Sequence, residues 1–161
     1  GADGIAFGFL KADHTLDVVR TKEMLALIHE KGKEAVFHRA FDCVAQQENA
    51  VETLISLGAD RILTSGGAPD VWTGRKQLQW LQSQYGKEIT FLAGSGVNAE
   101  NVKDLMEYTK VEQVHTSCRK WNVDGTTSYQ NVDFSYDAEK KDAYEMVDPQ
   151  KVEKMVKVLT L

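Results

Sequence analysis

The chain carries only two cysteines, Cys43 and Cys118, and neither belongs to a Cys-x-x-Cys spacing. That excludes a disulfide framework and fits a reducing, cytoplasmic setting. Long apolar runs are missing too, so no segment is expected to span a bilayer as a helix. Positive charge is the scarcer sign: Lys and Arg number 19 against 24 Asp and Glu, a formal charge of −5. The basic residues are scattered, which argues against a nucleic-acid groove or an anionic membrane surface as partner. Nothing at the amino end has the pattern of a signal peptide, because Gly1-Ala2-Asp3 runs straight into an apolar strand. At 161 residues, with 42% hydrophobic content, one domain over 1–161 with a substantial core is expected.

What is present is a repeating alternation. Five short apolar segments read as buried parallel strands: Gly4–Phe9, Ala35–His38, Arg61–Thr64, Ile89–Ala93 and Gln113–Thr116. Each is followed by an amphipathic stretch, and the unit recurs about every thirty residues, an α/β pattern. Gly1-Ala2-Asp3-Gly4-Ile5 returns as Gly58-Ala59-Asp60-Arg61-Ile62, which supports the register.

Helices are expected near 19–31, 46–57, from Pro69 to Gly86, from Asn98 onward, and after Asp148-Pro149. Gly32 and Gly58 serve as stops, Asn98 and Asp148 as N-caps, and Pro149 occupies a first turn. Trp72, Leu78, Leu81 and Tyr85 are expected inward on the third helix, and Val152, Met155, Val156 and Leu159 on the last. Between Lys120 and Val147 the periodicity lapses, and 120–147 reads as a long surface loop before the last helix. Two parallel architectures compete. A doubly wound sheet suits the length, whereas a (β/α) barrel needs eight strands and roughly 200 residues or more.

Polar residues cluster just after the strands, where parallel α/β proteins bind ligands. The segments Phe37-His38-Arg39-Ala40-Phe41-Asp42, Ile62-Leu63-Thr64-Ser65-Gly66, Ala93-Gly94-Ser95-Gly96-Val97 and Val114-His115-Thr116-Ser117-Cys118-Arg119 together resemble the CutC family. That resemblance implies a TIM-barrel-type (β/α)8 fold, of which this chain supplies about five of the eight βα units. It also implies an association with copper homeostasis and with copper ion as the bound metal. Gly1-Ala2-Asp3-Gly4 matches the approach to the fourth barrel strand. The cysteine-containing strand to which the family's copper binding is attributed lies outside the matched pattern. Exposed edges on the first and fifth strands favour association with another chain, so a homo-oligomer is expected.

Individual residues carry two readings each. His38, at a strand end with Arg39 and Asp42 close behind, suits a general acid/base oriented by a carboxylate beside an anion-holding cation. The plain alternative is an Arg39–Asp42 ion pair with a hydrogen-bonded histidine. His115 is a second acid/base candidate or a satisfied core residue. Gly94, Ser95 and Gly96 follow what the resemblance makes the seventh strand, and Ser117 and Arg119 follow the eighth. Loops there often form a phosphate site in such barrels. Thr64 and Ser65 add hydroxyls to the same mouth or make an ordinary turn. His14, in a polar loop, and His29, near a helix end, are set aside. For copper the soft candidates are Cys43 and Cys118, while Met24, Met106 and Met155 fall on apolar helix faces. Two functions follow: a copper-homeostasis protein binding copper ion, or a barrel enzyme acting on a small anionic or phosphorylated substrate.

Overall fold

A computed structural model describes residues 1–160, which form two compact units where the sequence suggested one: Gly1–Thr116, and a second beginning at Ser117. The first unit holds a parallel sheet of β1 (Gly4–Phe7), β2 (Glu34–Phe37), β3 (Arg61–Thr64), β4 (Thr90–Ala93) and β5 (Gln113–Val114). Between them run α1 (Val18–Glu30), α2 (Gln47–Leu57), α3 (Val71–Tyr85) and α4 (Val102–Thr109).

Strand order is β1-β2-β3-β4-β5, every pair parallel. This order decides between the two architectures. A doubly wound sheet reverses direction at a switch point, and no reversal occurs here. Right-handed crossovers in sequential order put every helix on one face, as in a TIM-type barrel. Burial follows suit. Ala35, Phe37, Ile62, Thr64, Phe91 and Ala93 alternate onto the helix-covered face and are buried, while Val36, Leu63 and Leu92 on the other face are half-buried. Across that second face the Arg61 guanidinium bonds Gln113 Oε1 at 2.9 Å and Glu34 Oε2 at 2.5 Å, tying three strands near their amino ends.

The Gly-Ala-Asp repeat now has a physical basis. Glu34 N–H donates to Asp3 O (3.0 Å), and Ala35 N–H donates to the Asp60 carboxylate (2.7 Å), so both copies brace the start of β2. Burial pushes the Asp60 carboxyl up. The Ala35 N–H and the His29 imidazole at 2.9 Å more than offset this and hold it below the usual carboxylate range. Its stabilisation is therefore present above the unfolded carboxylate's pKa and fades as pH falls through the lowered one.

Helix signals were largely met: Gly58 takes the left-handed conformation (φ 83°) after α2, and Asp70 and Asp148 cap α3 and α5 (Pro149–Leu159). Asn98 instead caps a turn, accepting from Glu100 and Asn101 N–H, and α4 proper starts at Val102. Trp72 is 41% exposed rather than inward, because it stacks under the Arg75 guanidinium, 4.6 Å from ring centre to Cζ. Inside α1, the fully buried Thr21 hydroxyl has no hydrogen-bond partner among the described residues. Thr21→Val removes that orphan at constant shape and is expected to raise stability by about 1 kcal/mol in urea unfolding.

The second unit replaces the expected 120–147 loop with paired strands. β6 (Arg119–Val123) runs antiparallel to β9 (Ala143–Val147), and β7 (Ser128–Tyr129) pairs with β8 (Val132–Asp133). Such a ribbon buries neither face cleanly, so its residues show no apolar alternation to read. On α5 only Met155 is buried within the described residues; Val152, Val156 and Leu159 are 38%, 54% and 44% exposed.

Candidate functional site

At the carboxyl ends of β2 and β3 the chain builds a clamp around Asp42. Residues Arg39–Cys43 form a 3-10 turn that lays the Asp42 carboxylate against the loop after β3. That carboxylate accepts from Arg39 Nε (2.7 Å), Thr64 Oγ1 (2.5 Å), Ser65 N (3.0 and 3.1 Å) and Gly67 N (3.0 Å). Thr64 Oγ1 in turn accepts from Gly66 N–H, and Arg39 Nη2 donates to Ser65 Oγ at 2.9 Å. The Ser65 hydroxyl has one proton for two acceptors, Ala68 O at 2.5 Å and Asp42 Oδ2 at 3.0 Å. The side chain of Asp42 is 6% exposed and that of Arg39 is 41% exposed. Arg39, Asp42, Thr64 and Ser65 are thus joined in one network that holds a loop. This is the ion-pair alternative, extended to two hydroxyls and two backbone amides.

His38 stands on the sheet face away from the helices, by alternation along β2. Its Nδ1 accepts from Ala40 N–H at 3.1 Å, which leaves Nε2 as the nitrogen that carries the ring proton. A backbone amide therefore orients the imidazole in place of the expected carboxylate, since Asp42 is engaged elsewhere. Gly8 makes the room: a Cβ there would come within 2.6 Å of the ring. His115 is exposed and lies beyond β5, three strands from β2, a separation of about 14 Å along the sheet. The two imidazoles share a face and an end of the sheet but not a contact.

The loop after β4 is shaped differently from a simple glycine turn. The left-handed residues are Ser95 (φ 76°) and Gly96 (φ 79°). Gly94 is small for another reason, since a Cβ there would strike the Leu63 side chain at 2.6 Å. All three carbonyls of 95–97 are drawn inward: Ser95 O takes Val71 N–H (2.9 Å), Gly96 O takes Asn101 Nδ2 (2.9 Å), and Val97 O takes Thr116 Oγ1 (2.8 Å). The Ser95 hydroxyl donates to Pro69 O at 3.0 Å. Among the described residues, no acceptor meets the N–H groups of Ser95, Gly96 and Val97. Carbonyls satisfied and successive amides unanswered is the polarity that suits an anion.

The comparisons agree with this architecture. The CutC family model matches residues 1–120. The chain belongs to the CutC family. The family protein CutC of Vibrio cholerae serotype O1 is 41% identical over 116 residues, 72% of this chain and 46% of its own length. That of Glaesserella parasuis serovar 5 is 36% identical over 164 positions, 100% of this chain and 65% of its own. The chain therefore spans about half to two thirds of these curated relatives. Among solved structures, a Streptococcus agalactiae protein provisionally named copper homeostasis protein CutC superposes with a TM-score of 0.65 at 28% identity. That alignment covers 71% of this chain and 55% of the other. A native KDPGal structure aligns over 98% of this chain and 68% of its own, with a TM-score of 0.53 at 14% identity, a likeness of fold alone. The chain is an α/β protein of TIM-barrel type that supplies about five of the eight βα units.

The remaining sequence candidates of this CutC chain lie in the second unit. Ser117 is exposed, and Arg119 opens β6, where Nη1 pairs with Glu145 Oε2 at 2.6 Å and reaches the Tyr136 hydroxyl at 3.5 Å. Copper(I) favours several convergent thiolate or thioether ligands. Cys43 is exposed at the end of the 3-10 turn in the first unit, and Cys118 is half-buried in the second. Among the described residues, no three His, Cys, Asp or Glu side chains converge as a metal site. Among the described residues these donors do not form a copper(I) centre. No helix among them is long and apolar enough to cross a membrane. Sequence reasoning missed the parts played by Gly8 and Ala40, which contribute space and a backbone N–H and leave no side-chain signature.

Proposed function

We propose that this CutC-family chain acts in copper homeostasis, the role in the name of its Streptococcus agalactiae relative, through a strand-end rim that binds a small anionic molecule. The observation that carries the rim is the 95–97 turn, with three carbonyls tied inward and three N–H groups left to a ligand. His38, whose Nε2 carries a proton, supplies a donor for the same ligand, and His115 a further one at the rim. If the ligand is also turned over, His38 is the acid/base, and His38→Ala lowers the rate by about 10²-fold or more.

Inorganic phosphate is the probe. Titrated into the ¹⁵N-labelled chain, it is expected to shift the Ser95, Gly96 and Val97 amides saturably. Gly96→Ala, strained at a left-handed φ, should weaken that binding about tenfold, given the ~1–2 kcal/mol such a conformation costs. Amides that stay put at saturating phosphate would remove the rim from the proposal.

Binding of copper ion itself is the second reading, favoured by the exposed Cys43 thiol at the end of the 3-10 turn after β2. Cu(I) titration before and after Cys43→Ser and Cys118→Ser separates the two. Unchanged affinity removes the thiols as ligands; loss of a tight, stoichiometric site in either variant would establish copper as cargo.

A further inference from the structure

A cavity of about 450 Å³ opens on the first unit between the loop after β1 and the start of α2. None of its lining residues belongs to the rim. Its apolar wall is Leu16, Val18, Val44 and Ala50, and its polar edge carries Lys11 and His14. Two things set it apart from an accidental surface hollow.

Its walls are braced by the backbone. Lys11 N–H donates to Thr15 O (2.9 Å) and His14 N–H to Lys11 O (3.0 Å), closing a tight turn at which Leu10 bridges Leu16. His14 takes a left-handed conformation (φ 62°), uncommon for a residue with a Cβ. From there its carbonyl accepts Ala45 N–H at 3.0 Å, latching the two walls together. The cavity is therefore formed before any ligand arrives, which reduces the ordering cost of binding.

Its charge runs against that of the chain. In a molecule of formal charge −5, every ionisable group lining this cavity is basic, and no carboxylate lines it. Asp13, on the same turn, is turned to Thr15, accepting from its N–H at 2.9 Å and its hydroxyl at 2.6 Å. A compact apolar body against Leu16, Val44 and Ala50, with one negative charge toward Lys11, matches both halves of the lining. Pockets that combine an apolar wall with a few placed polar groups, at 300–1,000 Å³ or so, are the usual form of small-molecule sites.

We infer that this cavity is a second ligand site, separate from the rim, that takes a small organic carboxylate with a compact apolar body. Lys11 holds the carboxylate as a point charge, and His14 donates or accepts a hydrogen bond beside it. The inference does not depend on the rim binding anything.

Benzoate is the probe and neutral benzamide its control, titrated into the ¹⁵N-labelled full chain. Benzoate is expected to shift the amides of Lys11, His14, Ala45 and Asn49 saturably, with benzamide at least tenfold weaker. Lys11→Met keeps the aliphatic stem at an exposed position, so the fold is retained, and it should bring benzoate down to the benzamide level. Equal affinity for the two probes would overturn the inference. So would an unchanged benzoate affinity in Lys11→Met, or benzoate shifts confined to residues outside the cavity.

Discussion

Replacing Asp42 by alanine is expected to destabilise the chain by about 4 kcal/mol, since two or more enclosed donors lose their acceptor at about 1–3 kcal/mol each. The carboxylate is almost wholly enclosed and takes hydrogen bonds from the Arg39 guanidinium, the Thr64 hydroxyl and the amides of Ser65 and Gly67. Removing it takes a shared acceptor from all of them at once; Arg39 keeps its bond to Ser65 Oγ, while the enclosed Thr64 hydroxyl and Ser65 amide keep their desolvation cost. Asn is not a rescue. Its NH₂ would face donors rather than acceptors, so Asp42→Asn should fall close to the alanine variant. Arg39→Met tests the other side. The guanidinium is partly solvated and one of several donors, but its loss leaves the enclosed carboxylate without its counter-charge, so it should cost about 2 kcal/mol. Chemical denaturation at constant m-value measures all three. A loss below 1 kcal/mol for Asp42→Ala would show that the loop after β3 stands without the clamp.

The next largest effect is expected at Gly74, where alanine normally strengthens a helix by about 1 kcal/mol. Here the sign reverses. A Cβ at Gly74 would fall 1.9 Å from Ser65 O, and one at Gly66 would fall 2.3 Å from Gly74 O. The third helix lies with its backbone directly on the loop that carries Thr64, Ser65 and Gly66, and neither partner is a side chain that can rotate away. Gly74→Ala is expected to cost about 3 kcal/mol, at the upper end for overpacked sites. Ser83→Ala, on an exposed part of the same helix, should change stability by less than about 0.5 kcal/mol. Thermal melts of the two variants side by side are sufficient. A Gly74→Ala protein as stable as the parent would mean that the helix and loop can separate without loss. Because the loop is also tied to Asp42, the two substitutions should be less than additive when combined.

These predictions depend on contacts between segments far apart in the chain, and that is where sequence reading stopped. The Arg39–Asp42 spacing was visible as a possible ion pair, three residues apart. Its real partners, Thr64, Ser65 and Gly67, lie more than twenty residues downstream and were legible only as a polar strand end. The Gly94-Ser95-Gly96 segment was legible as a tight turn suited to an anion. Which of its residues are left-handed was not, because Gly94 answers to Leu63 on the neighbouring strand and Gly96 to the turn itself. His14 looked like an unremarkable loop residue. Its place in a cavity wall follows from a backbone bond to Ala45, which no pattern announces.

By itself the sequence determined the alternation of buried strand and amphipathic helix, the helix stops and caps, the CutC motifs and the end of the sheet at which polar residues gather. All of these are written in local spacing, and local spacing is what side-chain periodicity encodes. Tertiary structure decided the strand order that makes the sheet barrel-like rather than doubly wound. It also separated a second unit with paired strands from the expected loop, and it showed which polar groups are held by their neighbours and which are not. Those outcomes depend on close approach between distant segments, where a missing Cβ or one shared carboxylate sets the geometry.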